Sequence, residues 1–162
     1  MKQIMHQRRV SKRAGFTLIE VLIVVSIIAI TLKLAIPPLH DLYVNEKIRS
    51  TSVVLRSYLA SARSVAVQHG RTAVFHSSNS SASIWVMVDS SGTMVSLRPR
   101  LRLDSLYTVT LLATADSIAY DARGRAIGLS SPQTYTLSSA QGTNKLVCVT
   151  LLGGVESGAC VQ

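Results

Sequence analysis

The pattern of apolar and polar positions divides the chain into three regimes. The first, Phe16–Ile36, is a continuous apolar run: 16 of its 21 residues are apolar, and the exceptions are Thr17, Glu20, Ser26, Thr31 and Lys33. As a helix this run would be roughly 30 Å long, the thickness of a bilayer's hydrocarbon core. Pro37-Pro38 follows at once and predicts a kink or local melting, because proline lacks the helical donor and crowds the preceding turn. The second regime resumes at Leu39 with helical spacing. Leu39, Leu42, Tyr43, Leu55, Leu59, Ala62 and Ala66 form its stripe, widened by Val53 and Val65 and interrupted between Tyr43 and Leu55. Gly70 is placed to end it as a left-handed residue after His69, giving a bent helix of about 80 Å from Phe16.

Beyond Gly70 the period shortens to that of strands. Arg71–His76, Ile84–Val88, Met94–Leu103, Tyr107–Ala113, Ser117–Tyr120, Gln133–Ser138 and Lys145–Leu152 read as about seven short strands. Ser77–Ser83 reads as a loop and Asp89–Gly92 as a turn. Pro99 makes Met94–Leu103 an edge strand or loop. One long helix against antiparallel strands is an α+β architecture. The expected segments are a leader at 1–15, an apolar helix at 16–36, its amphipathic continuation at 37–70 and a β-rich domain at 71–162.

Charge sharpens this picture. The formal net charge is +9, but five of the seventeen basic residues (Lys2, Arg8, Arg9, Lys12 and Arg13) precede the apolar run. Without them twelve basic residues face eight acidic ones, a balance of +4. The basic excess belongs largely to the leader and argues only weakly for a polyanion partner. It does set an orientation: five cations before the run, with Asp41 and Glu46 after it, predict a cytoplasmic N-terminus and a translocated domain. Cys148 and Cys160 then lie on the oxidising side of a bacterial envelope, where a disulfide persists. Gly153-Gly154 could turn a terminal hairpin, with both cysteines equidistant from residue 154, so a cross-strand Cys148–Cys160 bond is feasible.

Glu20 needs a reason, since a charge near the bilayer centre costs about 2.5–3.5 kcal/mol on insertion scales. Lys33, near the end of the run, can snorkel to headgroups or meet an acidic partner on a neighbouring helix. A conventional signal peptide has its small-residue cleavage site after the apolar region. Here the small pair, Ala14-Gly15, stands before it, so a cut there leaves the helix attached.

Arg13-Ala14-Gly15-Phe16-Thr17-Leu18-Ile19-Glu20-Val21 resembles the prepilin signature of type IV pilins and type II secretion pseudopilins. Weaker likenesses extend this to the FimT/GspH group: Leu55…Leu59-Ala60-Ser61-Ala62-Arg63-Ser64…Ala66, a Trp-bearing strand ending in Asp89, and the aromatic-x-x-x-G turn in Tyr120-Asp121-Ala122-Arg123-Gly124-Arg125. The resemblance implies two antiparallel sheets packed on the helix, cleavage by a prepilin peptidase after Gly15, and N-methylation of Phe16. It implies a single-pass inner-membrane protein, and assembly with other pilins or pseudopilins into a filament. Glu20 would then approach the positive amino terminus of a neighbouring helix and fix its register, with desolvation offsetting part of the attraction. The expected function is a minor pilin with a role in pilus priming or biogenesis; a GspH-type pseudopilin shares the same N-terminal residues.

Some FimT-like proteins resemble DNA receptors with a terminal G-R-x-R segment. The matching stretch here, Gly153–Cys160, has no basic residue and one acidic residue. Phosphate neutralisation dominates nucleic-acid affinity, so DNA binding would fall to Arg98, Arg100, Arg102, Arg123 and Arg125, if the fold gathers them. Arg98, Arg100 and Arg102 would share one face of an extended strand. Arg49, Arg56 and Arg63, seven apart, line one face of the helix, either solvated or against a neighbour. His6, His40, His69 and His76 are scattered, and no H-E-x-x-H, G-x-S-x-G or zinc-like spacing occurs. The expectation is a protein that is not an enzyme and needs no cofactor or metal.

Overall fold

The computed structural model describes residues 16–160, with the side chains of 34–41 left aside. Helix α1 runs over Leu18–His69. Its start is set locally: the Glu20 amide donates to the Thr17 hydroxyl at 3.3 Å and to the Thr17 carbonyl at 3.1 Å, so Thr17 caps the first turn. The backbone stays helical through Pro37 and Pro38 rather than melting there. The bend expected at these prolines lies outside what is described.

Two compact units meet in sequence between His40 and Asp41. In the first, every described side chain from Phe16 to Lys33 is exposed. Ser26 and Thr31 turn their hydroxyls back onto the Leu22, Ile27 and Ile28 carbonyls at 2.7–3.0 Å, so these polar groups are satisfied within the helix. Among the described residues no helix is long and apolar enough to cross a membrane. The span expected over Phe16–Ile36 has its last three residues, 34–36, among those whose side chains are not described.

The second unit packs the later part of α1 against two antiparallel sheets. The five-stranded sheet has the order β3 (Thr93–Arg102), β2 (Ser83–Ser90), β1 (Ala73–Ser78), β5 (Ser117–Tyr120), β6 (Ala126–Ile127). The four-stranded sheet has the order β4 (Val109–Ala113), β7 (Gln133–Ser139), β8 (Asn144–Val149), β9 (Val155–Ser157). Their inner faces meet where Phe75 on β1 and Tyr135 on β7 pack edge to face, 5.7 Å between ring centroids. The helix contributes Ile48, Leu55, Tyr58, Leu59, Ala62 and Ala66 to the same core.

This stripe corrects the sequence expectation at one end. Leu42, Tyr43 and Val53 are exposed, and burial begins at Ile48, followed by Thr51 and Ser52. Ile48 and the small polar Thr51 and Ser52 fill the gap in the apolar pattern, and the Thr51 hydroxyl tolerates burial by donating to the Lys47 carbonyl at 2.8 Å. The helix ends as expected at Gly70, with φ +61°. Between β3 and β4 the chain forms a short helix, α2 (Leu103–Tyr107), where strand had been expected up to Leu103 and again from Tyr107. Leu103 is fully buried beneath it and anchors the turn.

Candidate functional site

The residues expected to act in processing and assembly lie at the start of α1. Gly15 falls outside the described residues. Phe16 is 81% exposed, and Glu20 sits in the first helical turn, where the positive end of the helix dipole favours a carboxylate. Thr17-Leu18-Ile19-Glu20 has the spacing of a capping box, and the Thr17 half of it is formed. The T-x-x-E spacing thus signals a Thr17 cap that the motif reading missed, formed with the backbone amide of Glu20 and not with its carboxylate. Neither Glu20 nor Lys33 has an ion-pair partner among the described residues. Glu20 shares a shallow groove with Phe16, Val21, Val24 and Val25, so the carboxylate lies among exposed apolar side chains.

In the second unit the aromatic-x-x-x-G turn joins β5 to β6. Asp121 organises it: its carboxylate accepts from the Arg123 and Arg125 amides at 2.9 and 2.8 Å and pairs with the Arg125 guanidinium at 3.1 Å. These donors hold the Asp121 carboxyl below its usual pKa. Gly124, at φ +74°, lets the turn lie against α1; a Cβ there would stand 2.9 Å from Val67 Cγ2 and 3.1 Å from Arg63 Nε. Gly153, in the β8–β9 turn, backs onto the same place. A Cβ on it would stand 2.9 Å from Tyr120 Cε1 and 3.0 Å from the Ala126 amide nitrogen. Tyr120 is fully buried, and burial pushes its pKa up to about 12 against the opposing charge of Arg63. Helix, Tyr120 turn and terminal hairpin thus interlock through two glycines.

Cys148 and Cys160 are disulfide-bonded, with Cα atoms 5.1 Å apart. Their geometry is not the cross-strand pair expected. Cys148 faces Glu156 across the β8–β9 ladder, and the tight turn runs from Thr150 to Gly154. Past β9 the chain doubles back over the outer face of its sheet, bringing the Cys160 sulfur within 3.4 Å of the Thr134 hydroxyl on β7. Thr134 is the register partner of Cys148 on that side. The bond therefore ties the terminal segment across β8.

The five arginines proposed for a polyanion are not brought together. Arg98, Arg100 and Arg102 lie on β3 at one edge of the five-stranded sheet, and Arg123 and Arg125 flank β6 at the other. Four strand spacings separate these edges, roughly 19 Å. Nor do the three on β3 share a face. A register shift between Val86 and Ile84, around Pro99, turns Arg98 onto Tyr58 of α1, 4.7 Å from its ring centroid. Arg100 instead covers Trp85 on the outer face at 4.0 Å. Arg102 and Arg125 are paired with Asp104 and Asp121. Of the helical arginines, Arg49 and Arg63 are exposed, and Arg63 rests against Gly124. Among the described residues no group of three or more His, Cys, Asp or Glu could hold a metal ion.

Two family models match the chain. The prokaryotic N-terminal methylation motif covers residues 10–32, and the model described as type II transport protein GspH covers residues 54–154. The chain belongs to the GspH family. Solved structures share the fold of this GspH-family chain at low identity. The type IV minor pilin FimU of Pseudomonas aeruginosa is similar at 17% identity and a TM-score of 0.59, over 71% of this chain and 90% of that one. The minor pseudopilin EpsH from the type 2 secretion system of Vibrio cholerae is similar at 10% identity and a TM-score of 0.57, over 70% and 97%. No curated protein sequence matches the chain. The chain thus joins an N-terminal methylation motif to a GspH-family domain, and its fold is one shared with a minor pilin and a minor pseudopilin.

Proposed function

We propose that this chain is a minor pilin: it is cut after Gly15 by a prepilin peptidase, methylated on Phe16, and assembled through α1 into a type IV pilus, where it serves priming or biogenesis. It is the substrate of that processing and not an enzyme. One observation carries the reading. Every described side chain of the first unit from Phe16 to Lys33 is exposed, and a single carboxylate, Glu20, stands among them with no ion-pair partner among the described residues. Before assembly, lipid covers this surface, with the N-terminus cytoplasmic and the β domain periplasmic. In the filament, neighbouring helices replace the lipid, and the amino terminus of one meets Glu20 of another. Desolvation limits the net stabilisation of such a pair, so its main effect is on register.

A second reading, a pseudopilin of a type II secretion system, is favoured by the GspH family match over residues 54–154. N-terminal mass analysis of the native protein tests both, with methylated Phe16 as the expected first residue. An N-terminus at Met1 would overturn the two together. Deleting the gene separates them: the first reading predicts loss of surface pili with protein secretion intact, and the second the reverse. Glu20→Ala is expected to leave membrane insertion unchanged and to remove the subunit from sheared filaments. Undiminished incorporation would refute the role given to Glu20.

A further inference from the structure

The outer face of the five-stranded sheet carries an aromatic row that the assembly reading does not use. His76 on β1 and Trp85 on β2 are register partners, and their rings stack with centroids 5.1 Å apart and planes within 9°. On the far side of the indole lies the Arg100 guanidinium, from β3. Trp85 is thus covered on both faces, but the His76 imidazole is covered on one only. Its other neighbour, across β1 and β5, is Ser117, exposed and too small to reach over the ring. There the surface opens into a cleft of about 400 Å³, whose lining includes His76, Asn79, Trp85, Asp116 and Ser117.

The groups already engaged narrow the ligand. The Asn79 amide both donates to and accepts from the Ala113 backbone, at 3.2 and 2.8 Å. The Ser77 hydroxyl donates to the Ala115 carbonyl, and Ser78 and Ser80 bond each other. What remains is the Ser117 hydroxyl, the His76 ring nitrogens and one charged group, the Asp116 carboxylate, which has no ion pair among the described residues and shares the cleft with the open ring face. An anion would be repelled by Asp116. A sugar would meet a wall whose amide and most of whose hydroxyls are already engaged. An ammonium could pair with Asp116 and approach the ring face, but it cannot lie flat on the imidazole or bind a carboxylate through a planar fork. A guanidinium does both, being a planar cation that stacks on aromatic rings and binds carboxylates through two parallel hydrogen bonds. The domain already holds one guanidinium over a ring of this row, Arg100 on Trp85. Burial lowers the His76 pKa, which keeps the ring neutral at neutral pH and receptive to a cation.

The geometry points to this cleft as a receptor for an arginine side chain of a partner protein, its guanidinium stacked on His76 and paired with Asp116. The inference holds for either filament, since it concerns only the β domain. Trp85 is the only tryptophan, so its indole N–H resonance and its fluorescence report on the site directly. The test is titration of the full chain in detergent micelles with Nα-acetyl-L-arginine methylamide, beside the lysine analogue and a methyl glycoside. The expected result is a saturable change at millimolar arginine probe. It should be about fivefold weaker with the lysine analogue and with Asp116→Asn, and lost in His76→Ala. Asp116 is exposed and holds Ser77 only through its backbone carbonyl, so Asp116→Asn keeps the fold, as circular dichroism would verify. Equal responses to arginine and lysine that ignore Asp116→Asn would overturn the proposal. So would the absence of saturation, or saturation by the glycoside alone.

Discussion

Gly153→Ala tests whether the terminal hairpin, the Tyr120 turn and the helix form one interlocked unit. Two costs act at this position. The residue has φ +81°, where an L side chain is disfavoured by about 1–2 kcal/mol. The new Cβ would also stand 2.9 Å from Tyr120 Cε1, 3.0 Å from the Ala126 nitrogen and 3.3 Å from the Gly124 oxygen. Two of those atoms are backbone and the third belongs to a fully buried ring, so none can swing away. Overpacking of this kind costs about 1–3 kcal/mol. Gly142→Ala supplies the control: φ is again +81°, but nothing lies within 4 Å of the added Cβ. The conformational cost and the entropy removed from the unfolded chain are common to both variants and cancel in the comparison. Gly153→Ala should therefore be less stable than Gly142→Ala by about 1–3 kcal/mol, the overpacking cost alone. That is a large share of the 5–15 kcal/mol typical of a folded domain. Urea unfolding of the detergent-solubilised chain, followed by Trp85 fluorescence with the disulfide intact, measures the gap. Equal midpoints for the two variants, with equal slopes, would refute the interlocking.

The disulfide spans a sequence separation of 12, for which loop-closure entropy gives about 3 kcal/mol. Cys148→Ala/Cys160→Ala should lose about that much in urea unfolding, and limited proteolysis should free the segment after Ser157 first. Full resistance of that segment in the double variant would contradict the strap across β8. For pH, His76 has its pKa lowered by burial, so the unfolded chain takes up the proton first as pH falls. The stability its neutral form supplies is complete above the unfolded value near 6.5 and declines as pH drops below it. His76→Gln should flatten the stability profile below about pH 6.5, whereas an unchanged slope would show that the ring titrates freely.

The parts of this chain legible in its sequence are those with short-range causes. The helix stop at Gly70 and the Asp89–Gly92 turn could be read because a left-handed residue or a side-chain-capped turn is encoded locally. The Gly92 amide does donate to the Asp89 carboxylate, at 2.8 Å. The methylation motif could be read because its chemistry resides in consecutive residues. What escaped was set by partners far along the chain. Thr51 and Ser52 look like surface residues, yet tertiary packing buries them. α2 escaped because its five residues carry no helical period, and its place is fixed by burying Leu103.

The arginines and cysteines show the same limit in a more instructive form. Alternation predicts that Arg98, Arg100 and Arg102 share a face, and one inserted residue at Pro99 is enough to reverse that between Arg98 and Arg100. Side-chain direction has a period of two, so a single bulge has the effect of a full register slip. For the cysteines, counting from Gly154 identified the right pair by the wrong geometry. The turn is centred earlier, Cys148 faces Glu156, and its side chain lies on the outer face of the sheet, since Val147 and Val149 on either side point into the core. An outward Cys148 that is only 1% exposed needs a cover. The returning terminal segment is that cover, and the covalent bond holds it there. The disulfide therefore covers the outer surface of the four-stranded sheet at β7 and β8 more than it clamps a hairpin, while Leu112 on β4 of the same sheet stays 65% exposed.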